Sequence, residues 1–200
     1  MALRKRRGAA SDLLVVGLGN PGEDYAHTRH NLGADVVSLL ASRHGGALRA
    51  GKNNALEDTV RLGGHLVGLA FPITYMNNSG SAVRALLRRH SITDTACLVV
   101  IHDEVDLAVG RLKIKCGGGN AGHNGLKSIE QHIHTKEFVR IRLGVGRPPG
   151  RQDTADYLLK RPSKADRIEL DIVVEKAADA AEYLIDHDVD AAMAAFNASI

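Results

Sequence analysis

The sequence predicts an α/β fold: a single domain whose mixed β-sheet is sandwiched between helices in a three-layer αβα arrangement. Three observations carry this. Apolar strand-like runs alternate with helix-like patterns along the chain. A hairpin signal interrupts that alternation, so the sheet is mixed rather than purely parallel. No linker, internal repeat or composition break divides the 200 residues, a length that suits one domain with a real core.

Taken in order, Leu13–Val16 is a continuous apolar run and reads as a buried strand. The glycine-rich turn Gly17–Gly22 follows, then the polar set Tyr25, Thr28, Arg29, His30 and Asn31. Leu32, Val36, Leu39 and Leu40 have helical spacing within Asn31–Arg43, and Gly45-Gly46 stops that helix. Ala55–Leu62 and His65–Phe71 flank Gly63-Gly64 as a hairpin, with Pro72 ending its second strand. Ile73–Gly80 is a polar and aromatic loop; Asn78 or Ser79 is placed to cap a helix over Ser81–His90, with Arg84, Arg88 and Arg89 on its exposed side. Cys97–Ile101 reads as a central strand, with His102–Asp106 just past its end.

Arg111–Cys116 alternates, placing Arg111, Lys113 and Lys115 on one face. Gly117–Gly125 is a flexible loop that opens a helix around Leu126–His132, and Phe138–Val145 is a strand stopped by Pro148-Pro149-Gly150. The remainder is helical: Ala165–Asp186 carries Ile168, Ile172, Ala178 and Ile185 as an apolar stripe, and Ala191–Ala198 extends it. Residues 1–12, with the run Arg4–Arg7, are expected to be a disordered basic extension or a weak RNA contact, and 13–200 the domain. The apolar run after Arg7 is too short for a signal peptide, and no stretch is long enough to cross a membrane.

Charge is unevenly spread. The first 150 residues carry a net +8 and the last 50 a net −5. A basic body with an acidic tail helix suits an anionic partner, although ordinary solvated surface explains it as well. Cys97 and Cys116 have neither disulfide nor zinc spacing and read as core thiols of a reducing compartment.

Gly17, Gly19 and Gly22 formally match the dinucleotide fingerprint. Pro21 and the polar run Glu23–Asn31 break its geometry, and a helix face, Val36–Ala41, stands where an acidic residue is needed. The chain has no G-x-S-x-G elbow and no zinc-protease motif. His27 and His30, three apart, lack a third placed metal ligand. A histidine among carboxamides with no nucleophile points to a general base acting on water. His30 is its candidate.

These residues resemble the bacterial peptidyl-tRNA hydrolases. The resemblance rests on Val16–Gly22 followed by Tyr25-x-x-Thr28-Arg29-His30-Asn31; on Thr74-Tyr75-Met76-Asn77-x-Ser79-Gly80; on His102-Asp103-Glu104-x-Asp106; on Lys113-x-Lys115; and on Gly122–Leu126. These are five ordered motifs over about residues 13–197. The family hydrolyses the ester between a peptidyl group and the 3′ ribose of tRNA. Carried over by position, the resemblance implies His30 as general base and Asp103 as the acceptor that orients its ring, with Asn20 beside it to tell blocked from free aminoacyl ends. Asn77 and Asn124 are implied to bind the peptide and the oxyanion or terminal nucleotide, and Tyr25 and Tyr75 the terminal nucleotides. Lys113, Lys115 and Arg142 are implied to form a phosphate patch.

The resemblance implies a cytoplasmic monomer acting on tRNA, with no cofactor and no metal. Without it, Asp103 is a surface acid, Asn20 a turn former, Asn77 a helix-start residue, Asn124 a loop cap, and the basic residues a solvated strand face. Ala121 stands where the family commonly has glycine, and Phe71 where lysine is common, which removes one phosphate ligand. The rival reading from another class is a catalytically silent RNA-binding protein of the same fold.

Overall fold

Alternation within one strand sets the layers. In β1 (Leu13–Gly17), Leu13 and Val15 enter one apolar cluster, Leu14 and Val16 the other. A strand buried on both faces needs cover on both. In the computed structural model, which describes residues 11–197, that cover is helical. On one face lie α1 (Leu32–Arg43), α5 (Lys164–Asp186) and α6 (Val189–Asn197); on the other lie α2 (Ser79–Arg89) and α3 (Asn124–Ile133). A short helix, α4 (Thr154–Leu158), precedes α5 and is capped by Asp153, whose side chain accepts from the N–H groups of Ala155 and Asp156.

Six further strands complete the sheet: β2 (Arg49–Ala50), β3 (Ala55–Leu62), β4 (His65–Pro72), β5 (Leu98–Glu104), β6 (Leu112–Cys116) and β7 (Val139–Gly144). Their order is β2-β3-β4-β1-β5-β7-β6. The central pairs β4–β1, β1–β5 and β5–β7 are parallel, while the outer pairs β2–β3, β3–β4 and β6–β7 are antiparallel. The hairpin is as expected, with Leu62 opposite His65 and positive φ at both Gly63 and Gly64. β1 has β4 on one side and β5 on the other, so the strand order reverses there and a crevice opens at the carboxyl ends of β1 and β5.

Two glycines bring α1 into that crevice. A Cβ on Gly17 would overlap the Gly33 carbonyl, and one on Gly33 would overlap Ile101 O and Leu18 N. With both absent, the start of α1 seats on β1 and β5, and Leu18 bridges them: its N–H donates to Ile101 O at 2.9 Å and its carbonyl accepts from Ala34 N–H at 3.2 Å. The residues just before α1 are thereby held over the end of β5.

Several expectations shift. Ser11 and Asp12, assigned to the extension, are bound to the fold: Ser11 N–H donates to His90 O at 3.0 Å and Asp12 N–H to Leu66 O at 2.7 Å. The Arg4–Arg7 run lies outside the described residues. His102, Asp103 and Glu104 do not follow β5 but end it, paired with β7 and buried. Polar residues are tolerated there because their side chains find partners inside the crevice. Ser79 begins α2 without capping it; its hydroxyl donates back to Met76 O at 2.9 Å, and Asn78 makes no capping bond. Cys97 is only half-buried and Cys116, on the edge strand, is exposed, so neither is a core thiol. The face of α5 is also displaced. Ile168 and Ile172 are 63% and 46% exposed, whereas Leu170, Val173, Val174, Ala177 and Ala181 are buried. Small alanines let α5 pack close to α1, a preference that counting large apolar residues misses.

Candidate active site

A one-turn 3₁₀ segment, Arg29–Asn31, delivers His30 to the end of β5. His30 Nδ1 donates to Asp103 Oδ1 at 2.9 Å. Asp103 is 2% exposed, and the same oxygen accepts from His123 Nε2 at 3.1 Å. Burial alone would raise the Asp103 carboxyl, but the charges of His30 and His123 and their two hydrogen bonds hold it far below the usual carboxylate range. Burial alone would lower His30; the Asp103 charge and hydrogen bond overcome it and set the imidazole above its ordinary value of 6.5.

Two histidines nearby are disqualified as bases, His123 by its bonds and His102 by burial, which leaves its Nε2 enclosed without a partner. His123 Nδ1 accepts from the N–H groups of Gly125 and Leu126 at 3.1 and 3.4 Å, capping α3, so its other nitrogen carries the proton given to Asp103. His102 Nδ1 donates to Asp103 O at 2.7 Å, and burial, with His123 close by, pushes this imidazole down to about 3. His30 Nε2 alone is left facing open space with no protein partner among the described residues.

That space is a cavity of about 580 Å³. Asn20, His30, Tyr75, Asn77, Asp103 and Asn124 all line it, six of the residues named from the sequence. Asn20 is locked on both sides. Its backbone N–H and carbonyl pair with the Asn31 carboxamide at 2.9 and 2.8 Å, and its Oδ1 accepts from Met76 N–H at 2.8 Å. The Nδ2 donor of Asn20 is thus the end left without a protein partner. Tyr75 is 64% exposed at the rim.

The other four named residues are elsewhere. Tyr25 sits in the turn before His30, off the cavity. Lys113 and Lys115 lie on edge strand β6, opposite Arg142 and Arg140 of β7. Burial, and then the neighbouring Arg142 and Arg140 cations, lowers the Lys115 ammonium below its usual value. Arg142, expected in the same patch, stands beside Lys113 and Lys115 and is ion-paired: its Nε and Nη2 donate to Glu104 Oε2 at 3.1 and 2.8 Å.

Three participants escape a reading of the sequence. His123 stands within a quoted motif but carries no role there; it caps α3, yet histidine is not among the usual helix caps, so residue type gives no signal for it. Glu104 lines the cavity and holds Arg142. Arg29, beside His30, is buried: its guanidinium stacks on the Tyr157 ring at 4.1 Å and donates to Asp166 Oδ2 at 2.9 Å, tying the cavity wall formed by α4 to the His30 turn. The expected absence of a metal-ligand set also needs correction. His27 turns away, 3.7 Å from Asp35, but His30, Asp103 and His123 bring three donor atoms within 4.8 Å of one another. Their 2.9 and 3.1 Å separations are those of shared protons, and the two hydrogen bonds account for the cluster as it stands.

Residues 14–200 match the family model described as peptidyl-tRNA hydrolase. A peptidyl-tRNA hydrolase of Mycobacteroides abscessus is 49% identical over 181 residues, covering 90% of this chain and 92% of that protein. One of Rhodococcus erythropolis is 50% identical over 180 residues, covering 90% and 94%. The solved structure of peptidyl-tRNA hydrolase from Acinetobacter baumannii has a TM-score of 0.88 at 34% identity, covering 96% of this chain and 98% of that one.

Proposed function

The chain belongs to the peptidyl-tRNA hydrolase family, a family of ester hydrolases, and on that premise we propose that it cleaves the ester between a peptidyl group and the 3′ ribose of tRNA with His30 as general base. The observation that carries the mechanism is the His30–Asp103 hydrogen bond, with His30 at a cavity lined by four asparagines, Asn20, Asn77, Asn120 and Asn124. Nε2 takes a proton from water as the water oxygen bonds to the ester carbonyl carbon. Asp103 holds the Nδ1–H tautomer and stabilises the imidazolium. The carboxamide donors of Asn20, Asn77 and Asn124 are available to the carbonyl oxygen as it gains charge. The tetrahedral intermediate then collapses, the C–O3′ bond breaks, and the proton on His30 passes to the ribose oxygen. No cofactor enters this scheme, and the protein is proposed to act as a cytoplasmic monomer. Among the described residues no helix is long and apolar enough to cross a membrane.

The pH profile tests the base. Below its pKa His30 is an imidazolium and cannot accept a proton, so kcat/KM should fall with decreasing pH, with a midpoint above 6.5 because the group is raised. Asp103→Asn removes the charge that raises it and leaves the burial that lowers it. The midpoint should then move to the acid side of 6.5. An acid limb unmoved by Asp103→Asn would assign it to another group.

The phosphate patch has a separate test. Lys113 and Lys115 carry no ion pair among the described residues, whereas Arg142 of the same proposed patch is paired with Glu104, so the lysines are the simpler pair to vary. Lys113→Ala with Lys115→Ala should weaken capture more than the chemical step. The slope of log K against log salt should become shallower by roughly one unit for each phosphate that the variant no longer neutralises. An unchanged slope would leave both lysines as solvent-facing residues.

A further inference from the structure

The loop Gly117–Gly125, expected to be flexible, holds a strained turn. Asn120 O accepts from His123 N–H at 2.8 Å, and the two residues between, Ala121 and Gly122, have φ of 48° and 79°. Positive φ at both central residues is the I′ pattern, which glycine adopts freely and alanine resists. The turn carries what the site needs from this side: His123, the second donor to Asp103, and then Asn124 at the cavity.

Groups behind the turn hold it. Asn120 Nδ2 donates to Glu130 Oε2 at 2.9 Å, while Asn120 Oδ1 accepts from Gly122 N–H at 3.2 Å. Glu130 Oε1 accepts from Arg140 Nη2 at 3.1 Å, and Arg140 Nη1 donates to Gly119 O at 2.9 Å. Arg140 is fully buried, its guanidinium 4.6 Å from the Phe138 ring centre, so it is a fixed anchor. Glu130 lies on α3, the helix that His123 caps. The clasp therefore ties both ends of the segment to one helix and one strand. Neither Glu130 nor Arg140 lines the cavity.

We propose that Asn120, Glu130 and Arg140 form a clasp that holds Ala121 in its unfavourable conformation and thereby fixes His123 against Asp103. Glu130 is then a positioning residue for the hydrolysis, acting through His123. This rests on the reading of His30 and Asp103 as the catalytic pair. Without the clasp, the alanine relaxes to negative φ, the turn opens, and Asp103 loses one of its two donors.

The test uses Asn120→Ala and Glu130→Gln, each alone and each with Ala121→Gly. Cleavage of N-acetyl-aminoacyl-tRNA is measured as kcat and KM. The downfield proton signal of His123 Nε2–H is followed for its exchange with water. Each single variant should lose about tenfold in kcat, matching the cost of a left-handed alanine no longer held in place. KM should change little, and the His123 proton should exchange faster. Adding Ala121→Gly should restore most of the rate and the slow exchange, because glycine forms this turn unaided.

If Asn120 instead bound substrate directly, or if the variants acted by stripping buried Arg140 of its charge partner, glycine at position 121 would repair nothing. Should Glu130→Gln fail to fold, Asn120→Ala leaves the Glu130–Arg140 pair intact and decides the matter. Single variants with wild-type kcat and slow exchange would overturn the proposal, as would slowed variants that glycine does not rescue. Inactive wild-type protein would overturn the catalytic reading instead, and the His123 exchange pattern would still judge the clasp.

Discussion

Replacing His30 with alanine is expected to slow ester cleavage by about 10²- to 10⁴-fold, the range lost with a positioned base, and to leave tRNA binding at its original strength. The size follows from the lack of a substitute. His123 has both ring nitrogens committed, one to Asp103 and one to the start of α3. His102 is buried with its imidazole pushed down to about 3, and it spends its proton on a backbone carbonyl. The Asp103 carboxylate is buried beneath both rings and would need a water in the space His30 leaves. Binding should survive because the lysines available for phosphate stand on β6, away from the cavity. Single-turnover cleavage and equilibrium tRNA binding separate the two effects, and a thermal melt checks that the variant folds. A variant that turns over like the wild type would remove His30 from the mechanism.

Of the proposed pair, His30 is the part that residue types make legible: a glycine turn after an apolar run, then a histidine, then a helix. The role of Asp103, 73 positions away, comes only from the family resemblance. What stays hidden depends on partners far apart in the chain. Asp103 reads as a loop residue because polar residues rarely end a buried strand; the strand extends through it since β7 pairs with it and two imidazoles satisfy it. The ion pair of Arg142 stays hidden because its partner Glu104 lies 38 positions away. The stripe on α5 is misleading because alanines, which carry little hydrophobic weight, form the packed face, while Ile168 and Ile172 face outward. Conversely, the positive φ at Ala121 is the condition under which an alanine in a glycine loop matters, and it is what makes the clasp around Asn120 necessary.

The protein should also discriminate by the substrate's amino end, cleaving N-acetyl-aminoacyl-tRNA about 10²-fold or more faster than free aminoacyl-tRNA, the ratio expected when about 3 kcal/mol is lost by leaving a charge unpaired. An α-ammonium entering the cavity sheds hydration and needs a carboxylate in exchange. Two carboxylates line the cavity, and both are taken. Asp103 accepts from His30 and His123, and Glu104 accepts from Arg142 and from Asp106 N–H. Asn20 offers a donor at its open end, since its oxygen is held by Met76, and a donor repels an ammonium while it suits an acyl carbonyl. Arg142→Ala provides the discriminating control. It frees Glu104, so the ratio between the two substrates should narrow, and because both ride on the same tRNA, any loss of phosphate binding cancels. EDTA should leave both rates unchanged, since hydrogen bonds account for the His30–Asp103–His123 cluster. Activity lost in EDTA would assign a metal to that cluster. Equal cleavage of the two substrates would refute the charge argument, and tight tRNA binding without cleavage of either would favour a silent RNA-binding protein of the same fold.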